Sequence, residues 1–228
     1  MMGGSVLSAL GEVLLPRLCE ACGCRLNVGD TVLCATCQAR LPFRACIDTG
    51  FDEDVECDAA IRRVMAVFTY VHGGVIYKLT AKVKRGKCRA LARNLGRLAA
   101  VEAARAGAFD GVQVLVPVPL DPSKLRRRGY NQAMEIALGI SRHTGIPVAD
   151  ALVRRRGGDS QKAKRAGERG HNVKGAFAIA DQSACAGRHV LIVDDVMTTG
   201  TTLAECAAVL SGCAASVSVL AVARTAMV

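Results

Sequence analysis

The sequence predicts an α/β protein with a mainly parallel sheet covered by helices on both faces, preceded by a small N-terminal Cys-rich unit. Three observations lead there. The apolar runs "VMAVFTYV" (64–71), "VQVLVPVPL" (112–120), "HVLIVDD" (189–195) and "SVSVLAVAR" (216–224) have strand length and suit strands buried on both faces. Segments with helical spacing of apolar residues lie between them, and repeated strand, helix, strand units give a parallel sheet. Aromatic residues make up only 4% of the 228 residues and Trp is absent, so the core must be built from Val, Leu, Ile and Ala.

In chain order, "SVLSALGEVLLP" (5–16) reads as an amphipathic helix, since it is short, contains Glu12 and lacks a basic start. No later segment is long and apolar enough for a bilayer, so a cytoplasmic protein without a membrane span is expected. Residues 1–60 form the Cys-rich unit and 61–228 the α/β domain. After the strand at 64–71 come helical segments interrupted near Gly86, then the strand ending in Pro117 and Pro119, then the helix "NQAMEIALGISRHTG" (131–145) with a Gly stop. A basic, Gly-containing stretch precedes "VKGAFAIA", the strand "HVLIVDD", the helix "TLAECAAVLSGCA" and the final strand. The net charge of +10 favours anionic partners without choosing among them.

Seven of the eleven cysteines lie before residue 60. Cys19-x2-Cys22 and Cys34-x2-Cys37 make two knuckles whose thiolates can meet around one structural zinc, although their spacing is shorter than the commonest ribbon range. The competing reading is free buried thiols in a reducing compartment. Cys24 has no assigned role, and Cys46 and Cys57 lack partners for a second site. The four histidines, at 72, 143, 171 and 189, show no ligand spacing.

The stretch "VLIVDDVMTTGTT" (190–202) carries the chemistry. A central strand would place Asp194 and Asp195 at its carboxyl end, where open α/β sheets bind ligands. Thr198, Thr199, Gly200, Thr201 and Thr202 then offer hydroxyls, consecutive amides and a helix N-terminus to a phosphate. Two carboxylates would repel a bare phosphate, but they suit the diol of a ribose or a divalent cation bridging sugar and phosphate. A strand, a polar turn and a Thr cap is the plainer reading. A Walker-type site is the other rival, but neither G-x-x-x-x-G-K-[ST] nor G-x-G-x-x-G occurs.

This stretch resembles the phosphoribosyl pyrophosphate motif of type I phosphoribosyltransferases. With "PVPLDPSKLRRRGYNQA" (117–133), "RRRGGDSQKAKRAGERGHNVKGAF" (154–177), the closing "AVAR" and the Cys-rich head, the chain resembles the ComF family, linked to competence and DNA uptake. The resemblance implies a type I phosphoribosyltransferase-like domain behind a zinc ribbon. It further implies binding of phosphoribosyl pyrophosphate with Mg and transfer of the phosphoribosyl group to an acceptor. Val118 and Pro119 would belong to the pyrophosphate-side loop. Arg154, Gln161, Arg165, Arg169 and Asn172 would fall in a hood closing over substrate, although Lys164 stands where the family often has Leu. A family lysine maps to Lys84, with Lys82 as competitor.

Two rival functions remain open. The same fold would serve as a sensor that binds phosphoribosyl pyrophosphate without turnover and regulates a partner, such as a competence-machinery protein. Alternatively, the head and the basic run Lys124, Arg126, Arg127 and Arg128 would grip single-stranded DNA, a reading that the scarcity of aromatics weakens.

Overall fold

The computed structural model describes residues 16–44, 51, 61–85, 88–155 and 175–225. The helix expected over 5–16 falls, apart from Pro16, outside them. So do Cys46, Cys57, His171 and the hood residues Gln161, Arg165, Arg169 and Asn172.

Four strands, β1 (Ile61–Tyr70), β2 (Val114–Pro117), β5 (His189–Met197) and β6 (Ser216–Thr225), form one sheet in the order β1-β6-β5-β2, parallel throughout. Two shorter strands, β3 (Leu152–Arg154) and β4 (Phe177–Ile179), pair antiparallel in a separate ribbon. Six helices are described: α1 (Ala35–Ala39), α2 (Val75–Lys84), α3 (Arg89–Arg105), α4 (Pro122–Arg128), α5 (Gln132–Thr144) and α6 (Thr201–Leu210).

Both faces of the sheet are covered. Met65, Val67, Leu115, Leu191, Val193, Leu220 and Val222 pack with α2, α3 and α5 in one core, which also takes in Cys19, Leu26, Leu33 and Leu41 of the Cys-rich head. The alternate set, including Val64, Val116, Val190, Ile192 and Val219, packs with α6 and the β3–β4 ribbon. This explains the unbroken apolar run at 190–193: neighbouring side chains point to opposite faces and both faces are dry.

The sheet's edges are occupied too. On β1, the Arg44 amide donates to the Val67 carbonyl (2.9 Å) and the Thr69 amide to the Pro42 carbonyl (2.9 Å), while the Phe43 and Phe68 rings lie 4.8 Å apart. On β2, Leu115 exchanges backbone bonds with Pro147 and Ala149, both 2.9 Å. Capping these edges removes unpaired strand groups that would otherwise recruit another chain.

Two elements differ from the sequence reading. The stretch before Gly129 is the helix α4, with Asp121 Oδ1 accepting from the Ser123 (2.9 Å) and Lys124 (3.3 Å) amides and Pro122 in its first turn. That cap-and-proline start is an ordinary helix signal, hidden by a run of only seven residues. The β3 strand has three residues and no alternation long enough to read.

Helices α3 and α5 touch through glycine. A Cβ on Gly96 would stand 2.2 Å from the Ile136 carbonyl oxygen, and one on Gly139 2.1 Å from that of Arg93. Helix propensity alone would make Ala the better residue by about 1 kcal/mol. Overpacking against backbone reverses that sign, so Gly96→Ala and Gly139→Ala should each destabilise by ~1–3 kcal/mol in denaturant unfolding. A gain in either variant would show that the helices can move apart.

Candidate active site and metal centre

Asp194 and Asp195 lie at the carboxyl end of β5, 9% and 4% exposed. Asp194 Oδ1 accepts from the Asp195 amide at 2.7 Å, which folds its carboxyl back onto the chain. Asp195 Oδ2 lies 3.0 Å from Lys84 Nζ, an ion pair without a well-aligned hydrogen bond. Lys84 is the last residue of α2, so that helix delivers its cation across the sheet end. Lys82, on another side of the same helix, is held elsewhere: its Nζ donates to the Glu20 carbonyl (2.5 Å) and pairs with Glu20 Oε2 (3.1 Å). Of the two lysines, the structure brings Lys84 to the acids and assigns Lys82 to the head.

Burial pushes the Asp194 carboxyl well above the ordinary carboxylate range, and the charge of Asp195 pushes it further; the Asp195 amide and Lys84 pull back only partly. A site built this way holds surplus negative potential that a cation or a row of hydroxyl donors would relieve.

The following loop forms a cavity of about 60 Å³ lined by Asp194 and Val196–Leu203. Gly200 takes φ +104°, a conformation that glycine adopts without strain, and as N-cap of α6 it supplies no side-chain bond, while the Thr201 amide meets the Thr199 hydroxyl at 3.4 Å. By contrast, α4 and α5 are capped by Asp121 and Asn131. Thr199 and Thr201 hydroxyls are 3.0 Å apart at the exposed rim. The first turn of α6 therefore presents amides and hydroxyls to the cavity, together with the positive end of the helix dipole.

Val118 and Pro119 follow β2 on the same side of the sheet. Asn131 holds that loop, with Nδ2 donating to the Val118 carbonyl (2.9 Å) while Oδ1 caps α5 at the Ala133 amide (3.0 Å). Arg154, in β3, lies over the Phe177 ring at 5.3 Å; hydrogen bonds from Ser123 hold the Asp121 carboxyl below its ordinary range with a small contribution from the Arg154 charge, and burial pushes the Glu205 carboxyl up while Arg154 opposes it. Arg154 thus stands between the β2 loop and α6.

Phe51 was not foreseen. A Cβ on Gly200 would stand 2.4 Å from Phe51 Cδ1, so an aromatic ring from the segment between head and sheet lies directly on the phosphate-type loop. Nothing in the sequence around Phe51 marks it; only the chain's return to β5 shows the contact.

In the head, Cys19, Cys22, Cys24 and Cys34 place their sulfurs within 4.8 Å of one another. The Cys22–Cys34 sulfur separation of 3.9 Å matches the roughly 3.8 Å edge of a tetrahedron with Zn–S bonds of about 2.3 Å. Backbone amides of Cys34 and Cys37 point at the sulfurs of Cys19 and Cys34, both 3.4 Å, as donors to thiolates would. An all-thiol donor set of this size fits zinc. Cys24 stands in this tight group where the sequence reading put Cys37. The Cys37 thiol borders it, touching Cys22, Cys34 and Cys19.

Residues 125–226 match the phosphoribosyl transferase domain family. The chain is 30% identical over 227 residues to DNA utilization protein YhgH of Escherichia coli O157:H7, covering 92% of this chain and 98% of that one. It is 31% identical over 201 residues to Competence protein F of Haemophilus influenzae, covering 82% and 87%. The chain belongs to the ComF family. Among solved structures it is similar to glutamine phosphoribosylpyrophosphate amidotransferase from B. subtilis complexed with ADP and GMP. There the identity is 24% and the TM-score 0.40, over 57% of this chain and 25% of that one.

The ComF chain thus has a type I phosphoribosyltransferase fold, with its acidic strand end and Thr/Gly loop on one side and a Cys cluster able to hold a metal near the N-terminus. Among the described residues no helix is long and apolar enough to cross a membrane.

Two outcomes follow for this ComF protein. Because the folded chain holds a proton on Asp194 more tightly than the unfolded chain does, stability should fall as pH rises above the ordinary carboxylate pKa of about 4. Asp194→Asn should therefore melt higher than wild type at neutral pH, and the difference should shrink as pH approaches ~4 in thermal unfolding scans. Because five thiols crowd one centre, Cys24→Ser and Cys37→Ser should each keep zinc with weakened affinity, and the double variant should lose it, as read by metal analysis after chelator challenge.

Proposed function

We propose that this protein binds phosphoribosyl pyrophosphate with Mg and transfers its phosphoribosyl group to an acceptor. The observation that carries the reading is the juxtaposition at the end of β5: two buried carboxylates, one paired with Lys84, beside a helix that starts at a glycine in a Thr/Gly loop. Asp194 and Asp195 suit the ribose diol, and Thr198, Thr199, Gly200, Thr201 and Thr202 suit the 5′-phosphate. Val118 and Pro119 lie where backbone groups would face the pyrophosphate, and Lys84 and Arg154 are the nearby cations. Magnesium, where bound, would neutralise the departing pyrophosphate. The reaction asks for no protein nucleophile: the side chains position the sugar and stabilise separating charge.

The hood role of Gln161, Arg169 and Asn172 is part of the same proposal, since a cationic centre formed on the sugar must be kept from water. Zinc is assigned a structural part in the head, because a closed four-thiolate site leaves no position for substrate. The proposed setting is the cytoplasm, in DNA uptake or use, a setting supported by the names of the relatives. A second reading, contact with single-stranded DNA, is favoured by one observation: α4 exposes Lys124, Arg126 and Arg127 together. Charge reversal there should weaken DNA binding and its salt dependence, and binding that is indifferent to the change would exclude this surface.

The direct test is calorimetric titration of phosphoribosyl pyrophosphate with Mg into the zinc-loaded protein and into the Asp194→Asn/Asp195→Asn variant. Saturable binding in the wild type, weakened about 100-fold or more in the variant, is expected from the loss of two charge-assisted partners. Pyrophosphate release on adding an acceptor separates transfer from sensing. A folded wild type that binds no phosphoribosyl pyrophosphate would exclude the proposal.

A further inference from the structure

A groove of about 450 Å³ opens between the Cys-rich head and helices α3 and α5, a size ordinary for small-molecule sites. The head contributes Arg17, Thr31 and Val32. Helix α3 contributes Arg93, Asn94 and Arg97, and α5 contributes Arg142. Among the described residues, four that bear a guanidinium line it and none that bears a carboxylate does. Arg93 is matched from behind by Glu135, with Nε 2.5 Å from Oε2, and Arg17 Nη1 donates to the Asp30 carbonyl at 3.0 Å. Arg97 and Arg142 are exposed and form no ion pair among the described residues.

Like charges four residues apart on one helix, as at Arg93 and Arg97, repel by a few tenths of a kcal/mol. Adding the cations of the head and α5 to the same groove raises that cost unless an anion enters. Arginine's planar fork suits phosphate oxygens, and its face suits a stacked ring.

A second observation is independent of charge. Asn94 is only 6% exposed, and its Nδ2 donates to Thr31 Oγ1 at 2.8 Å, which ties α3 to the head. Its Oδ1, shut off from solvent, has no hydrogen-bond partner among the described residues, and Asn94 itself lines the groove. A buried acceptor left unmatched costs about 1–3 kcal/mol, a debt that a ligand N–H or O–H at the groove would remove. An occupant that suits these groups carries an anion for the arginines and a hydrogen-bond donor that meets Asn94 Oδ1 once its entry uncovers that oxygen. The aliphatic side chains of Val32 and Ala90 line the same space and accept an apolar ring face.

We infer that this groove is a nucleotide-binding site, formed jointly by the head and α3 and separate from the pocket at Asp194. Arg97 and Arg142 hold the phosphate, Arg17 reaches it from the head, and Asn94 Oδ1 accepts from the sugar or base. A bound nucleotide would tie the metal-bearing head to the helices that cover the sheet. The same chemistry serves a free mononucleotide or one unit of a DNA strand.

The test is calorimetric titration of the intact zinc-loaded protein, at physiological ionic strength, with three probes: deoxyadenosine 5′-monophosphate, a short 5′-phosphorylated deoxythymidine oligonucleotide, and inorganic phosphate. Saturable binding of at least one nucleotide probe, tighter than inorganic phosphate, is expected. Arg97→Glu/Arg142→Glu, changed at exposed positions, should weaken it about tenfold or more. In the Asp194→Asn/Asp195→Asn variant, which removes the proposed transferase pocket, nucleotide binding should persist and remain sensitive to Arg97→Glu/Arg142→Glu, which keeps this result distinct from that of the pocket. Asn94→Leu should bring nucleotide affinity down towards that of phosphate; should that variant fail to fold, the arginine variant decides. Comparing the first two probes identifies the source. No saturation at millimolar concentration, binding unchanged by Arg97→Glu/Arg142→Glu, or phosphate binding as tightly as both nucleotides would overturn the inference.

Discussion

Two carboxylates held out of water at the end of an inner strand constrain everything around them. Asp194 and Asp195 repel one another, and each loses solvation by burial. The fold answers with three local devices: the Asp195 amide turned onto Asp194, the Lys84 cation brought in on the last residue of α2, and a loop whose amides face the same space. Each device requires a particular element. Helix α2 must end at Lys84, β5 must run between β2 and β6 with both faces covered, and α6 must begin at a glycine. Change any one of these and the acids lose one of the three devices that hold them.

The sheet that supports them owes its order to the two-sided burial of its strands. Because β5 is paired on both edges and packed on both faces, its terminal residues have little freedom, and the site inherits that rigidity. The surrounding parts are looser in kind. Arg154 comes from a three-residue strand, and Phe51 reaches Gly200 from a segment that belongs to neither the sheet nor its helices.

What could be read beforehand followed from short-range physics. The strands at 64–71, 189–195 and 216–224, the helix from Asn131 to Gly145 and the break near Gly86 are written in hydrophobic runs, caps and glycines. The acidic strand end and its Thr/Gly loop were legible for the same reason, being contiguous in sequence. Contacts set by the return of the chain were not. Phe51 on Gly200, the choice of Lys84 over Lys82, the entry of Cys24 into the sulfur cluster and the pairing of Asn94 with Thr31 all join residues whose sequence neighbourhoods say nothing of one another. The short helix α4 was missed for a different reason: Asp121 and Pro122 mark its start locally, but seven residues are too few to show a helical period.

The pairing of Pro42 and Arg44 with β1 bears on how the chain is made. The parallel partner of β1 is β6, which contains the last ten residues of the described chain, so β1 leaves the ribosome long before that partner exists. At about 5–20 residues per second the wait is on the order of ten seconds. During it, the segment already synthesised, with its cysteine knuckles, is the neighbour available to shield the exposed strand. The head would then act during biosynthesis as a built-in nursemaid for β1, keeping a sticky ribbon occupied until the final strand arrives to close the sheet.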